Sequence, residues 1–267
     1  VLGSLRLYGR YISLSMQAQM QYKASFIMFS LANLLNAFLE FLATAALFAR
    51  FGTLRGWMLT EVALFYGLVN LSFAIAEAAG RGFDVFHRRV RTGTFDRLLL
   101  RPRSTVLQVL GGDFQLLRVG RFTQGLLVLL WGGVASGVSW TPASVLLAVW
   151  ATAGAVLVFC GLFVLQAVMS FWTVEPAELA NTLTYGGVEA TQFPLSIYRR
   201  WLRDLFVYVV PLGCANYFPV LSILGRDVGL GYPPWLAWMT PWAGVLFFAL
   251  SLRVWELGVR HYNSTGS

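Results

Sequence analysis

The sequence predicts an all-α membrane protein. It should have six transmembrane helices, an N-terminal amphipathic helix on the interface, and one short cytoplasmic helix between the second and third spans. Three observations carry that prediction. Of the 267 residues, 57% are hydrophobic and 12% are charged, against about 45–50% and about 25% in soluble domains. Phe122 to Val174 contains no Asp, Glu, Lys or Arg. As one helix it would be roughly 80 Å long, far beyond the roughly 30 Å hydrocarbon core, so it must turn back on itself. Third, the 20 basic residues gather in a few short segments, the distribution that the positive-inside rule produces.

The elements follow in order. In residues 1–24, Leu5, Tyr8, Ile12, Met16 and Met20 share one helical arc, while Arg6, Arg10, Ser13, Gln17 and Gln21 share another. This is the pattern of an interfacial helix. The first span covers 25–49. Arg50, Gly52, Arg55 and Gly56 then make a turn, and Thr60-Glu61 caps the second span, 60–80. A basic loop occupies 81–104. Spans three and four, 118–138 and 143–170, divide the uncharged run at Ser139-Trp140-Thr141-Pro142. Thr173 to Arg203 is too polar to cross and reads as cytoplasmic interfacial helices, with Pro176 at a helix start, Gly186-Gly187 as a break and Pro194 ahead of Tyr198 and Trp201. Span five, 204–224, contains Pro211, Asn216 and Pro219; the prolines should bend it, as a moving gate or as a fixed irregularity. Gly225 to Pro234 is a turn-rich connector. Span six, 235–257, places Trp235, Trp238 and Trp242 at one end and Trp255 at the other, the interfacial positions expected of tryptophan.

Six spans put both termini on one side. With that side cytoplasmic, only Arg50, Arg55 and Arg226 of the 20 basic residues fall outside. The net charge of +8 therefore reports orientation, and no nucleic-acid partner is expected. Cys160 and Cys214 lie in apolar segments and read as small core residues. The N-terminus lacks the pattern of a secretory signal peptide. The preference for arginine, with Lys23 as the only lysine, points to a bacterial inner membrane.

The stretch RTGTFDRLLLRPRS, Arg91 to Ser104, concentrates charge around a leucine triplet. Gly93 suits the end of one helix, Thr94 an N-cap and Asp96 the first turn of the next, which Pro102 stops. Leu98, Leu99 and Leu100 cannot all face one way, so one apolar surface rests on the bundle and the other needs a partner. It is either a docking helix for a cytoplasmic protein or a positive-inside loop whose leucines touch lipid.

Polar residues also interrupt the spans. Ser30, Asn33, Asn36, Glu40 and Thr44 share about a third of the first helix's circumference, and Gly67, Asn70, Ala74 and Glu77 recur at helical spacing in the second. An ionised side chain at mid-depth costs roughly 2.5–3.5 kcal/mol on insertion scales, so it faces protein or water. Asn33, Asn36, Glu40, Asn70 and Glu77 are accordingly either hydrogen bonds between helices or the lining of a substrate path. Glu77, near the cytoplasmic end, is also spaced to pair with Arg81 at i+4. Gly133 and Gly137 have the spacing of a close helix contact, or of entry into a turn.

GTFDRLLLRPRS resembles the first cytoplasmic loop of type-2 ATP-binding-cassette (ABC) exporter permeases. FPLSIYRRWLRDLFVYVVPLGCANYFPVLSILG, the N-terminal YGRYISLSMQAQMQYKASF and the tail RVWELGVRHYNSTGS are similar to one six-span branch of that class, first catalogued as an uncharacterised family. The resemblance implies a permease half. Two such subunits, identical or paired with a sister permease, would assemble with two ATPase subunits. It implies that Gly93, Thr94, Phe95, Asp96, Arg97, Leu98, Leu99, Leu100 and Pro102 form the coupling helix that contacts the ATPase, and that ATP and Mg are bound by that partner. The chain has no G-x-x-x-x-G-K-[ST] motif, because Lys23 lies in QMQYKAS. Its histidines, His87 and His261, fall outside the spans and no HExxH occurs, so neither a catalytic residue nor a metal site is expected. Relatives of the branch are linked to efflux of toxic cations such as viologens, and the wider class moves drugs, lipids and glycans. A carboxylate such as Glu40 would attract a cation strongly at low dielectric. The competing reading is a membrane scaffold that transports nothing. Asn263-Ser264-Thr265 matches a glycosylation sequon but falls on the expected cytoplasmic tail.

Overall fold

The structure, a computed structural model, describes residues 2–173, 177–226 and 234–262. Pro176, most of the 225–234 connector and the Asn263-Ser264-Thr265 sequence lie outside them, as do the side chains of residues 2–7. Among the described residues the regular elements are all helical. Helix α1, Leu2–Met20, lies against the basic loop region, with the Tyr11 ring against Gly111. Helix α2 runs from Lys23 to Phe51 and stops at Gly52, whose φ of 74° lets its N–H turn back to the Phe48 carbonyl at 2.7 Å. Helix α3, Leu59–Asp84, opens with the Glu61 carboxylate accepting from the Met58 N–H at 2.9 Å, so Glu61 makes the cap expected of Thr60-Glu61.

Three short helices follow: α4 (Phe86–Arg91), α5 (Thr94–Leu99) and α6 (Thr105–Gly112). Helix α7, Val119–Ala135, is shorter than the predicted third span. Helix α8, Pro142–Met169, has Pro142 in its first turn and Thr141 Oγ1 accepting from the Ser144 N–H at 3.2 Å. Then come α9 (Ala177–Thr191) and α10 (Arg200–Asp204), which continues as a π-helix to Val209. A second π-helical turn, Gly213–Tyr217, leads into α11 (Phe218–Leu224), and α12 (Thr240–His261) closes the fold. Four segments of the described chain are long and apolar enough to cross a membrane: Lys23–Phe51, Leu59–Arg91, Pro142–Met169 and Ala237–His261.

Helix α3 is the centre. Its face toward α7 is stripped to small residues, so that a Cβ on Gly67 would lie 2.6 Å from the Leu129 backbone nitrogen, and one on Gly132 would lie 2.9 Å from Ala63 Cβ. The close contact considered for Gly133 and Gly137 is not made: Gly133 sits under Trp140, and Gly137, at φ 71°, turns the chain. Helices α8 and α12 run parallel, since Gly154 meets Gly244, Gly161 meets Phe247 and Ser251, and Val168 meets Gly258. One end of the bundle carries the loop region with Tyr11 and Tyr262; the opposite end carries the turns at Gly52–Trp57 and Ser136–Thr141.

Two expectations are corrected. The polar stretch after α8 does not stay at the loop end. Going forward from Tyr185, it meets Glu77 and Phe73, then at Thr191 the Asn216 side chain that also reaches Phe65, and finally Trp57, whose Nε1 donates to Ser196 Oγ at 3.0 Å. It thus runs antiparallel to α3 over roughly 30 Å. Its polar residues Thr184, Thr191 and Gln192 are buried in protein, while Thr182 and Glu189 stay exposed. The second correction concerns 204–224, predicted as one span. Arg200–Val209 and Gly213–Leu224 are bent by 86° around Pro211. The bend lies at the level of Gly187, which Leu212 touches, and the return arm ends beside Gly56 and Glu61 through Arg226. Both arms therefore start and finish at the end opposite the loop, as a re-entrant pair. Arg199, Arg200 and Arg203 move with them to the end that holds Arg50, Arg55 and Arg226.

Candidate functional site

At the loop end, Gly93 takes the left-handed conformation (φ 65°) that lets α5 fold back on α4. It occupies the N-cap position expected of Thr94, whose hydroxyl instead donates to the Arg89 carbonyl at 3.3 Å. One face of α5 is anchored. Phe95 is fully buried, its ring 4.9 Å from Phe86, 5.7 Å from Phe171 and 5.1 Å from Tyr262. Trp255 lies in the same knot, against Phe83, Phe86 and Phe171, and donates to Thr105 Oγ1 at 3.1 Å. It is buried, not interfacial as predicted. Leu98 also turns inward, and Gln108 Nε2 fixes its carbonyl and that of Arg103, both at 3.1 Å.

The other face is bare. Leu99 is 40% and Leu100 86% exposed, and Arg97, Arg101, Pro102 and Arg103 are exposed around them. Asp96 is half-buried. Burial, and then the Asp96 carboxylate beside it, push the Tyr262 hydroxyl up to about 12, so it stays protonated.

A second site lies within the bundle. A cavity of about 200 Å³ is lined by Asn33, Asn36, Ala37 and Glu40 of α2, Glu77 of α3, Arg118 and Arg121 at the start of α7, and Tyr185 of α9. Glu77 is 1% exposed. Its Oε1 lies 2.5 Å from Arg118 Nη2 in an ion pair and accepts from the Tyr185 hydroxyl at 3.5 Å. Arg81, the partner its spacing suggested, pairs with Asp84 instead. Across the cavity Glu40 meets Arg121 at 3.4 Å and accepts from Asn36 Nδ2 at 3.4 Å. Asn33 donates to the Leu117 carbonyl at 3.3 Å, and Arg121 lies over the Phe73 ring at 5.4 Å.

Four of the five polar candidates thus converge on one cavity. Asn70 does not; it is buried and donates to the Tyr66 carbonyl at 2.9 Å, within its own helix. The gate candidates are elsewhere. Pro211 sits at the bend, Pro219 opens α11, and Asn216 donates to the Thr191 and Phe65 carbonyls at 2.5 and 3.4 Å. Sequence reasoning missed Arg118 and Arg121 as cavity residues. The available signal was two arginines three residues apart at the mouth of an uncharged run, with unexplained carboxylates in two other spans. Nothing in the sequence marked Tyr185 or the aromatic knot.

An all-helical bundle of long apolar helices, with a partly anchored leucine helix at one end and charged groups enclosed within, defines a multi-pass membrane protein. A model of the family described as ABC-2 family transporter protein matches residues 34–266, and the chain belongs to that family. It is thus a permease of an ABC transporter, the class whose ATP-binding component is a separate partner. No curated protein and no solved structure matches it.

Proposed function

We propose that this chain is the membrane half of an ABC exporter in a bacterial inner membrane. Paired with a second copy or a sister permease it forms the pathway for a small molecule or lipid, and separate subunits bind and hydrolyse ATP with Mg at the loop end. That end is cytoplasmic, together with both termini; the re-entrant pair faces outward, and the segment through α9 makes the fifth crossing. One observation carries the reading: α5 is anchored on one face and apolar on the other. Leu100 in a partner's groove would contribute about 1.5–3 kcal/mol from apolar burial, and Leu99, 40% exposed, roughly half that or less. Phe95, on the opposite face, connects α5 to Phe83 at the end of α3, Phe171 after α8, and Trp255 of α12. A push on α5 would therefore bear on three spans at once, through one contiguous packed cluster.

The test is to purify the chain with its ATPase and measure turnover with Leu99→Asp. Placing a carboxylate in the apolar contact is expected to lower copurification or turnover at least about tenfold. Unchanged binding and turnover, or the lack of a copurifying ATPase, would overturn the proposal.

A further inference from the structure

We infer that the cavity between α2, α3, α7 and α9 binds a small zwitterion, through an ammonium at Glu77 and an anionic group at Arg118. The inference rests on the permease reading and names the chemistry of the cargo that the same pathway takes. Charge balance comes first. Each carboxylate lining the cavity has its own arginine, Glu77 with Arg118 at 2.5 Å and Glu40 with Arg121 at 3.4 Å. A simple cation entering between them meets two guanidiniums as well as two carboxylates, and a simple anion meets the converse. At the Glu77–Arg118 pair neither finds a net field; Glu189 bears on Glu40 and Arg121 at the other side. A molecule carrying both signs finds a partner for each.

The second observation is more local. Glu77 is 1% exposed, yet its Oε2 has no hydrogen-bond partner, and neither has the buried Nε of Arg118. Both residues line the cavity. A buried charged group left unsatisfied is costly, and these two atoms are one acceptor and one donor. With a side-chain rotation that opens these two atoms to the cavity, an ammonium donates to Oε2 and an anionic oxygen accepts from Nε. The volume of about 200 Å³ equals that of about six or seven liquid waters, which suits an amino-acid-sized molecule or a lipid headgroup. Glu77 lies about 10 Å inside the loop end of α3, within reach of either source.

The experiment uses the purified chain in phosphatidylglycerol nanodiscs and titration calorimetry. The probes are leucine, its methyl ester as the matched cation, N-acetylleucine as the matched anion, and lysophosphatidylethanolamine against lysophosphatidylglycerol. At least one zwitterion is expected to bind about tenfold or more tightly than its singly charged analogues. Preference for leucine identifies a free small molecule; preference for the ethanolamine lipid identifies a headgroup. E77Q should remove the zwitterion's advantage while sparing the anion, and R118Q should do so while sparing the cation. The double variant E77Q/R118Q, which leaves no buried charge unpaired, should fold and show no preference at all. Equal affinity for every probe, tightest binding of the cation, or a preference that survives the double variant would overturn the assignment. The Leu99→Asp effect on ATP turnover does not depend on this site, so failure here and failure of the permease reading are distinguishable.

Discussion

Helices α2 and α3 are nearly equal in hydropathy and were predicted as equivalent spans, yet the structure treats them in opposite ways. Over their most apolar windows α3 is 83% buried in protein and α2 only 6%. Helix α3 meets its neighbours through small residues such as Ala63 and Gly67, and encloses Phe65, Phe73 and Phe83. Helix α2 turns Met28, Phe29, Leu35, Leu39 and Leu42 outward. What holds α2 is a narrow seam: Phe41 against the Tyr66 and Trp131 rings, buried Ala37 and Phe48, Gly120 against the backbone at Ser30 and Leu34, and the polar contacts of Glu40 with Arg121, Asn33 with the Leu117 carbonyl and the Tyr66 hydroxyl with the Ala37 carbonyl. Hydropathy reports which solvent a helix tolerates, and says nothing of whether lipid or protein supplies it. The cavity lined by Glu40 and Glu77 lies where these two regimes meet, walled on one side by α3 and on the other by α2.

The largest effect should come from α3. Phe73 is fully buried among the rings of Phe159, Phe163 and Tyr185. Phe73→Ala is expected to cost about 3–5 kcal/mol, read as a fall in the thermal unfolding midpoint in detergent. Leu39→Ala on α2, where the side chain is 63% exposed, should cost under about 0.5 kcal/mol. Equal losses would mean that α2 is packed in solution against something as firm as α3's neighbours, and the contrast would fail.

Next comes the buried carboxylate. Glu77→Gln leaves Arg118 without its partner, and breaking a buried pair costs about 3–5 kcal/mol. Arg118 keeps 25% of its side chain exposed, which moderates the expected loss to about 2–3 kcal/mol. A double-mutant cycle with Arg118→Gln measures the coupling directly. A coupling near zero would show that Glu77 is held by its surroundings and not by the arginine.

The sequence made the long spans legible because length and hydropathy depend only on the segment itself. The α5 leucines were legible for a steric reason, since adjacent residues on a helix point different ways. What stayed hidden depends on other segments. Trp255 sits at the end of an apolar run, and nothing local separates an interfacial tryptophan from one locked among Phe83, Phe86 and Phe171. The course of the α9 stretch beside α3 was hidden because its polarity was weighed against lipid, whereas Thr184, Thr191 and Gln192 face protein. The prolines foretold a bend, but its reversal at Pro211 is set by contacts with Gly187 and Leu195. Glu77 had a nearby arginine in sequence and chose a more distant one, because Asp84 claims Arg81.

A smaller effect than that at Glu77 should come from Glu40→Gln, and it sharpens the contrast most. Glu40 and Arg121 are 36% and 18% exposed and 3.4 Å apart, a loose pair whose removal should cost at most about 1 kcal/mol. Arg121→Gln should cost more than Glu40→Gln, because the guanidinium also rests on the Phe73 ring, a contact worth about 0.5–1 kcal/mol. The asymmetry is the informative quantity. If α2 is the loosely held wall, losing Glu40 loosens α2 alone, and hydrogen exchange should quicken along 33–44 while the amides of α3 keep their protection. Should exchange in α3 rise as well, Glu40 is bearing on the core through Arg121 and Phe73. The two helices would then move as one body, and the cavity between them would open by some route other than displacement of α2.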